Sequence, residues 1–269
     1  MKFASRCLIL IVFFISACND DDPNGGEIPS QPPVPVKTWS IISSIPHDTS
    51  YFTQGYEFHN GNLLVGTGNY GNSKLLKLEP GSGKVLNEVK LEDKYFGEGI
   101  TVLNDTLYQL TWKEKVVHIY HVSDFTKIKE APIQTEGWGA ATDGKHIIVS
   151  NGSNQLYFYE PQGFSAVKQL DVTESGVPAV NLNELEFVDG FIYANQWQYP
   201  YILKIDPSTG HVVAKYDLSS LVSRVQNEYP FLDTRNNAVL NGIAYDPQTK
   251  NFFITGKLWP LSYQVNLAP

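Results

Sequence analysis

Thiols are almost absent from this chain. Its only cysteines, Cys7 and Cys18, fall within the first 18 of 269 residues, so everything after them folds without a disulfide. A basic surplus is absent as well: 28 Asp and Glu against 20 Lys and Arg leave a formal charge of -8 and a pI near 5.2. That balance argues against nucleic acid as a partner, because binding phosphate needs a basic footprint. Long helical periodicity is missing, and the apolar run from Leu8 to Ile15 is too short to span a bilayer. The six histidines show no metal-ligand spacing, and His118 and His121 would point to opposite faces of a strand, so no zinc site is readable. No serine sits in a nucleophile elbow, and no glycine loop is shaped to cradle phosphate. What remains is a chain 42% hydrophobic and 13% aromatic, enough for the core of one all-β domain of about 230 residues.

A two-residue motif recurs five times and changes chemistry at its first position: Gln54-Gly55, Glu98-Gly99, Trp138-Gly139, Asn183-Glu184 and Asn241-Gly242. Each copy opens an apolar strand pattern, as in FGEGITVLNDTLYQL and LNGIAYDPQTKNFFI. The intervals of 44, 40, 45 and 58 residues match four-stranded propeller blades. Period-two alternation within each repeat is cut by the turn sequences HNGN, EPGSG, TDGK, DPSTG and DPQTK. The segments KLLKLEPGSGKVLNEVKL and YILKIDPSTGHVVAKYDL nearly coincide, so the outer hairpin repeats too. The fold expected is all-β, a five-bladed β-propeller over residues 37–269 with a short helical insertion before the last blade. Within that insertion, residues 219–239, Ser219 or Ser220 can cap a helix carrying Leu221, Val222 and Val225 on one side. It reads as a partial lid over the ring or as a decorative surface helix.

Ahead of the propeller, Lys2 and Arg6 precede the apolar run, which ends in Ile15-Ser16-Ala17-Cys18. Residues 1–17 read as a signal peptide. The sequence around Cys18 resembles the lipobox of bacterial lipoproteins, whose cysteine is lipidated and becomes the new N-terminus; cleavage by the ordinary signal peptidase is the alternative. Residues 18–36, rich in Asp, Gly and Pro, read as a disordered tether. Their acidic start resembles the surface-export signal of some lipoproteins of Bacteroidetes-type bacteria, and a solvated linker reads the same. The expectation is a monomer of the bacterial cell envelope, periplasmic or surface-exposed, that meets the membrane only through a lipid anchor.

A closed ring of blades gathers the five variable positions around one axis, and a second ring follows about fourteen residues later. Glu98 leads to Trp112, Asn183 to Trp197 and, after a longer turn, Asn241 to Lys257. A hairpin of that length returns the second strand's end to the face where the first began. One cavity is therefore expected to hold Gln54, Glu98, Trp112, Trp138, Asn183, Trp197, Asn241 and Lys257. Each has a structural alternative: tryptophans in a propeller core, amides satisfying backbone or water, Glu98 bridged to Lys257. A lone carboxyl among aromatics would hold its proton to higher pH, which suits proton transfer near neutrality.

The motifs YFTQG, FGEGIT, LTW, EGWG, LNELE, ANQW, LNGIAYD and TGKLWP resemble, in order and approximate spacing, the glutaminyl-peptide cyclotransferases of the plant and bacterial type. The resemblance runs from about Trp39 to the end. It implies a five-bladed propeller that needs no catalytic metal or other cofactor, a structural cation staying open, and that converts the N-terminal glutamine of a peptide or protein into pyroglutamate with loss of ammonia. It places the site on Phe52, Gln54, Glu98, Trp112, Trp138, Asn183, Trp197 and Lys257, with Asn241 added from the repeat register alone. Glu98 is then the general acid and base, Lys257 with Gln54 or Asn183 holds the oxyanion, and the aromatics bind the side chain. Two readings from other classes stay open. One is a non-catalytic propeller that captures peptide N-termini or a small ligand. The other, a metal-dependent lactonase, calls for several channel carboxylates where the first ring offers only Glu98.

Overall fold

The computed structural model describes residues 33–232 and 238–269. The signal segment, Cys18 and most of the tether lie outside these residues. Five sheets, each built on four antiparallel strands and one carrying a fifth strand at its edge, follow one another around an axis, their inner strands being Thr53–His59, Gly97–Leu103, Ala140–Thr142, Leu182–Val188 and Leu240–Asp246. This is a five-bladed β-propeller. Every residue of Gly97–Leu103 is buried, whereas the outer strand Ser165–Asp171 is exposed at all but one position. Burial therefore falls from the axis outward, and the turns sit where the alternation stops. Asn60 and Gly61 both take positive φ, 48° and 76°, as a two-residue hairpin turn requires.

The core is distributed rather than central. Between blades one and two, Leu64 and Leu75 meet Ile100, Leu107 and Tyr120; between blades five and one, Ala244 and Phe253 meet Tyr56, Leu63 and Leu76. A similar cluster fills each of the other three gaps. Each such side chain, once buried, contributes on the order of 1.5–3 kcal/mol, and the ring is complete only when all five gaps are filled.

Closure comes from the N-terminus. Trp39–Pro46 is the outermost strand of blade five, paired antiparallel with Leu261–Leu267 from Trp39 opposite Leu267 to Pro46 opposite Leu261. Joining the first strand to the last blade removes the open edge that a linear array would leave. Val36–Lys37 pairs in parallel with Val212–Asp217 at the edge of blade four, and Val34 packs on the core between blades three and four. The propeller therefore begins a few residues inside the stretch assigned to the tether.

The insertion differs from expectation in two ways. Its helix, Ser219–Glu228, has Leu218 at the N-cap position without a side-chain cap bond; Asp217 Oδ1 accepts from the Ser219 N–H at 2.9 Å instead. Leu221 and Val225 are buried with Tyr216, Trp259 and Tyr263 between blades four and five. The helix is thus part of the core, neither a lid nor decoration; residues 233–237 lie outside the described residues.

The inner strands carry an irregularity where the variable motif falls. Pairing shifts between Thr53 and Gly55, Gly97 and Ile100, Leu182 and Leu185, and Leu240 and Ile243. A bulge re-aims a side chain and frees backbone donors. Glu184 takes two of those donors, Tyr56 N at 3.1 Å and Ile243 N at 2.8 Å, and Asn195 Oδ1 takes Gly242 N at 2.8 Å. Glu184, on blade four, thereby ties blades one and five to its own. The glycine after the variable residue also has a packing reason. A Cβ on Gly99 would lie 2.6 Å from Ala140 N, and one on Gly139 would run into the Asn183 carbonyl, so adjacent inner strands meet backbone to backbone at this level.

Candidate active site

The bulges open the mouth end of the axis into a cavity of about 500 Å³. Gln54, Glu98, Trp138 and Asn183 line it from the first ring, Trp112, Trp197 and Lys257 from the second, with Phe52, Phe96 and Asn69 completing the wall. The second-ring residues follow the ends of strands Thr106–Thr111, Phe191–Gln196 and Asn251–Gly256. Their N–H groups donate back across the hairpin, Trp112 to Phe96 O at 3.1 Å, Trp197 to Asn181 O at 2.8 Å and Lys257 to Val239 O at 2.9 Å. Equivalent hydrogen bonds in three blades thus hold two tryptophans and a lysine at one height.

Asn241 is not brought to the wall. It is fully buried, and its Nδ2 donates to Thr53 O at 2.9 Å and to Gln54 Oε1 at 3.4 Å. The second bond turns the Gln54 carboxamide so that its Nε2 is left for the cavity. The register put Asn241 at the right level, but its side chain supports the site rather than binding in it. Among the described residues, Asn183 Oδ1 has no hydrogen-bond partner, and it is buried.

Glu98 is 4% exposed, and no described residue donates a hydrogen bond to its carboxyl. Burial pushes it well above the usual carboxylate range; Lys257 opposes that shift, while the charges of Glu136 and Glu114 add to it. Burial also lowers Lys257 from the ordinary lysine value of 10.5 to about 8, with Glu98 resisting. The ion pairs among the described residues all lie elsewhere, so no direct bridge ties Glu98 to Lys257. The Lys257 ammonium instead stands 4.8 Å from the centroid of the Phe52 ring. An acid and an amine, each displaced toward neutrality and separated by a gap, can exchange protons with whatever enters between them.

The aromatic wall has its own support. Trp112 Nε1 donates to Glu136 Oε2 at 2.9 Å, and Trp138 Nε1 reaches the same oxygen at 3.3 Å. Trp138 and Trp197 meet edge to face with centroids 5.6 Å apart, and Phe96 contacts Phe52, Tyr70 and Trp112 at 5.4–6.1 Å. Phe96, Asn69 and Glu136 were missed from the sequence. The register contained a signal for two of them: Phe96 precedes Glu98 by two residues, as Phe52 precedes Gln54, and Glu136 precedes Trp138 likewise.

A second cavity, of about 570 Å³, lies beside the helix and is lined by Tyr199, Ser219, Val222, Gln226 and Leu240, among others. None of its described lining residues carries a carboxyl, amine or imidazole, whereas the smaller cavity offers Glu98 and Lys257 for acid–base work. Among the described residues, no group of three or more His, Cys, Asp or Glu is placed to hold a metal ion.

Comparison with known proteins agrees with this geometry. The family described as glutamine cyclotransferase matches residues 11–267. The chain is 36% identical over 229 residues to the glutaminyl-peptide cyclotransferase of Arabidopsis thaliana, a match covering 84% of this chain and 70% of that protein. It superposes on the crystal structure of Myxococcus xanthus glutaminyl cyclase with a TM-score of 0.81 at 36% identity, covering 88% of this chain and 98% of the other. With the match spanning nearly the whole propeller in both sequence and structure, the chain belongs to the glutamine cyclotransferase family.

Proposed function

We propose that this protein is a glutaminyl-peptide cyclotransferase, converting the N-terminal glutamine of peptides or proteins to pyroglutamate and ammonia. The observation that carries this reading is Glu98: a buried carboxyl without a hydrogen-bond partner among the described residues, facing Lys257 in an aromatic cavity, in a chain of this family.

In the reaction, the substrate's α-amino nitrogen attacks its own side-chain carboxamide carbon. A C–N bond forms, the carbonyl electrons move to oxygen, and the tetrahedral centre collapses with loss of the amide nitrogen as ammonia. Holding the side chain folded back supplies proximity, which the aromatic walls favour by excluding water and extended conformers. Glu98 takes the proton from the attacking nitrogen and delivers it to the departing one, so no net proton is consumed. Such relays typically give a factor of about 10² to 10⁴. The Lys257 ammonium, with Gln54 Nε2 or the Asn183 carboxamide, is available to the developing oxyanion.

Ammonia release from a Gln-initiated peptide, measured in EDTA for the wild type and Glu98→Gln, tests the assignment. Release by wild type that falls at least a hundredfold in the variant supports it; peptide binding without release by a folded wild type would make the protein a capture module instead. The lipobox-like Ile15-Ser16-Ala17-Cys18 supports the further proposal that the enzyme is tethered to the bacterial envelope through a lipidated Cys18 and acts on exported peptides. Labelled fatty acid that enters the wild type but not Cys18→Ala would establish the anchor, and equal labelling of both would remove it.

A further inference from the structure

Glu136 stands behind the cavity wall, and both of its side-chain hydrogen bonds among the described residues go to wall tryptophans. One oxygen takes Trp112 Nε1 at 2.9 Å and Trp138 Nε1 at 3.3 Å. The two indoles come from different blades: Trp112 follows the second strand of blade two, and Trp138 heads the inner strand of blade three. Glu136 lies on the connection between them, and none of the ion pairs among the described residues includes it.

We propose that Glu136 is a positioning residue for the cyclisation: by holding both indole N–H groups on one carboxylate oxygen, it locks Trp112 and Trp138 into the rigid corner against which the glutamine side chain folds back. The inference rests on the cyclase reading above. A tryptophan has a single donor, and an unheld indole N–H in an apolar cavity would compete for the substrate's carbonyl oxygen. With those two indoles occupied, the lining donors left to that oxygen are chiefly Gln54, Lys257 and the Trp197 indole, which narrows where the oxyanion forms. A charged acceptor does this better than a neutral one, because hydrogen bonds to an ionised group are roughly twice as strong. One acceptor shared by two blades also couples the walls, so that neither ring turns alone.

The charge of Glu136 has a second effect. The titratable groups facing Glu98 are Lys257 from blade five, Glu114 and Glu136 from blade two and the connection after it, and Tyr70 from blade one. Glu136 and Glu114 oppose ionisation of Glu98, and Lys257 favours it. Removing the charge at 136 alone therefore lets Glu98 ionise at lower pH.

The test compares the full-length wild type with Glu136→Gln and Glu136→Asp, using a Gln-Ala peptide as substrate. Three readouts are taken: kcat and KM separately, the pH profile of kcat/KM, and the indole ¹H–¹⁵N resonances assigned with Trp→Phe variants. Glu136→Gln is expected to raise KM about five-fold or more with a smaller fall in kcat. It should also move the acid limb to lower pH and shift the resonances of Trp112 and Trp138 while leaving Trp39 and Trp259 in place. Glu136→Asp, which keeps the charge but retracts the oxygens, should hold the acid limb near its wild-type position while KM stays raised. Unmoved indole resonances in Glu136→Gln, or moved resonances with wild-type KM and acid limb, would overturn the proposal. A wild type that releases no ammonia overturns the cyclase reading and this role with it; an active wild type matched by Glu136→Gln overturns this role alone.

Discussion

Replacing Lys257 with methionine should make the protein more stable and less active at once. Lys257 is 4% exposed and titrates at about 8 instead of 10.5. At 1.36 kcal/mol for each tenfold change, holding it charged in the folded state costs about 3 kcal/mol. The sign follows from the depressed folded value: the cost is full below pH 8, shrinks as pH rises from 8 to 10.5, and is gone above. Methionine has a similar length and no charge. It forfeits the contact of the ammonium with the Phe52 ring, worth about 0.5–2 kcal/mol, and its pull on Glu98, which then stays protonated. The net gain expected at pH 7 is about 1–2 kcal/mol, a rise in Tm of roughly 3–6 °C for a domain of this size. Turnover should fall by about 10² to 10³, the scale of one lost oxyanion donor. Thermal melts at pH 7 and pH 10, with ammonia release at pH 7, measure all three quantities. A variant less stable than wild type at pH 7, or a Tm difference that persists unchanged at pH 10, would refute the electrostatic argument; wild-type turnover would refute the oxyanion role.

Other perturbations test how the ring is held. Glu184→Leu strips the buried N–H groups of Tyr56 and Ile243 of their acceptor, at about 1–3 kcal/mol each, so urea unfolding should show a loss of about 2–6 kcal/mol; a loss under 1 kcal/mol would mean that Glu184 does not hold the bulges. Gly139→Ala drives a methyl group into the Asn183 backbone and should cost about 1–3 kcal/mol, with activity falling as Asn183 shifts. Full activity and an unchanged midpoint would count against the close approach. A chain beginning at residue 47 lacks the outer strand of blade five and should melt much earlier or fail to fold, whereas one beginning at residue 33 should match the full chain by circular dichroism. Equal stability of the two would show that the N-terminal strand does not close the ring.

Five repeats, their spacing, the hairpin turns and two levels of candidate residues were legible because blades repeat in sequence, and period-two alternation maps directly onto strand faces. Phe96 was within reach, since it occupies in blade two the place Phe52 occupies in blade one. Glu136 was harder: its register was visible, but nothing local shows that one carboxylate serves two tryptophans from different blades. Asn241 had the right register and the wrong task, because register gives the height of a side chain and a bulge decides whether it faces the cavity or a neighbouring strand.

Local information, carried by alternation, turn residues and repeat spacing, was therefore enough to determine the blades, their number and most of the residues that meet at the mouth. Only the tertiary structure decided that the strand at Trp39–Pro46 closes the last blade, that the helix belongs to the core, and that Glu98 and Lys257 stand unbridged with displaced proton affinities. These features depend on pairing and burial between residues as much as 228 positions apart, Trp39 and Leu267 being the extreme. Desolvation, which sets the chemistry of the site, exists only once the ring has closed.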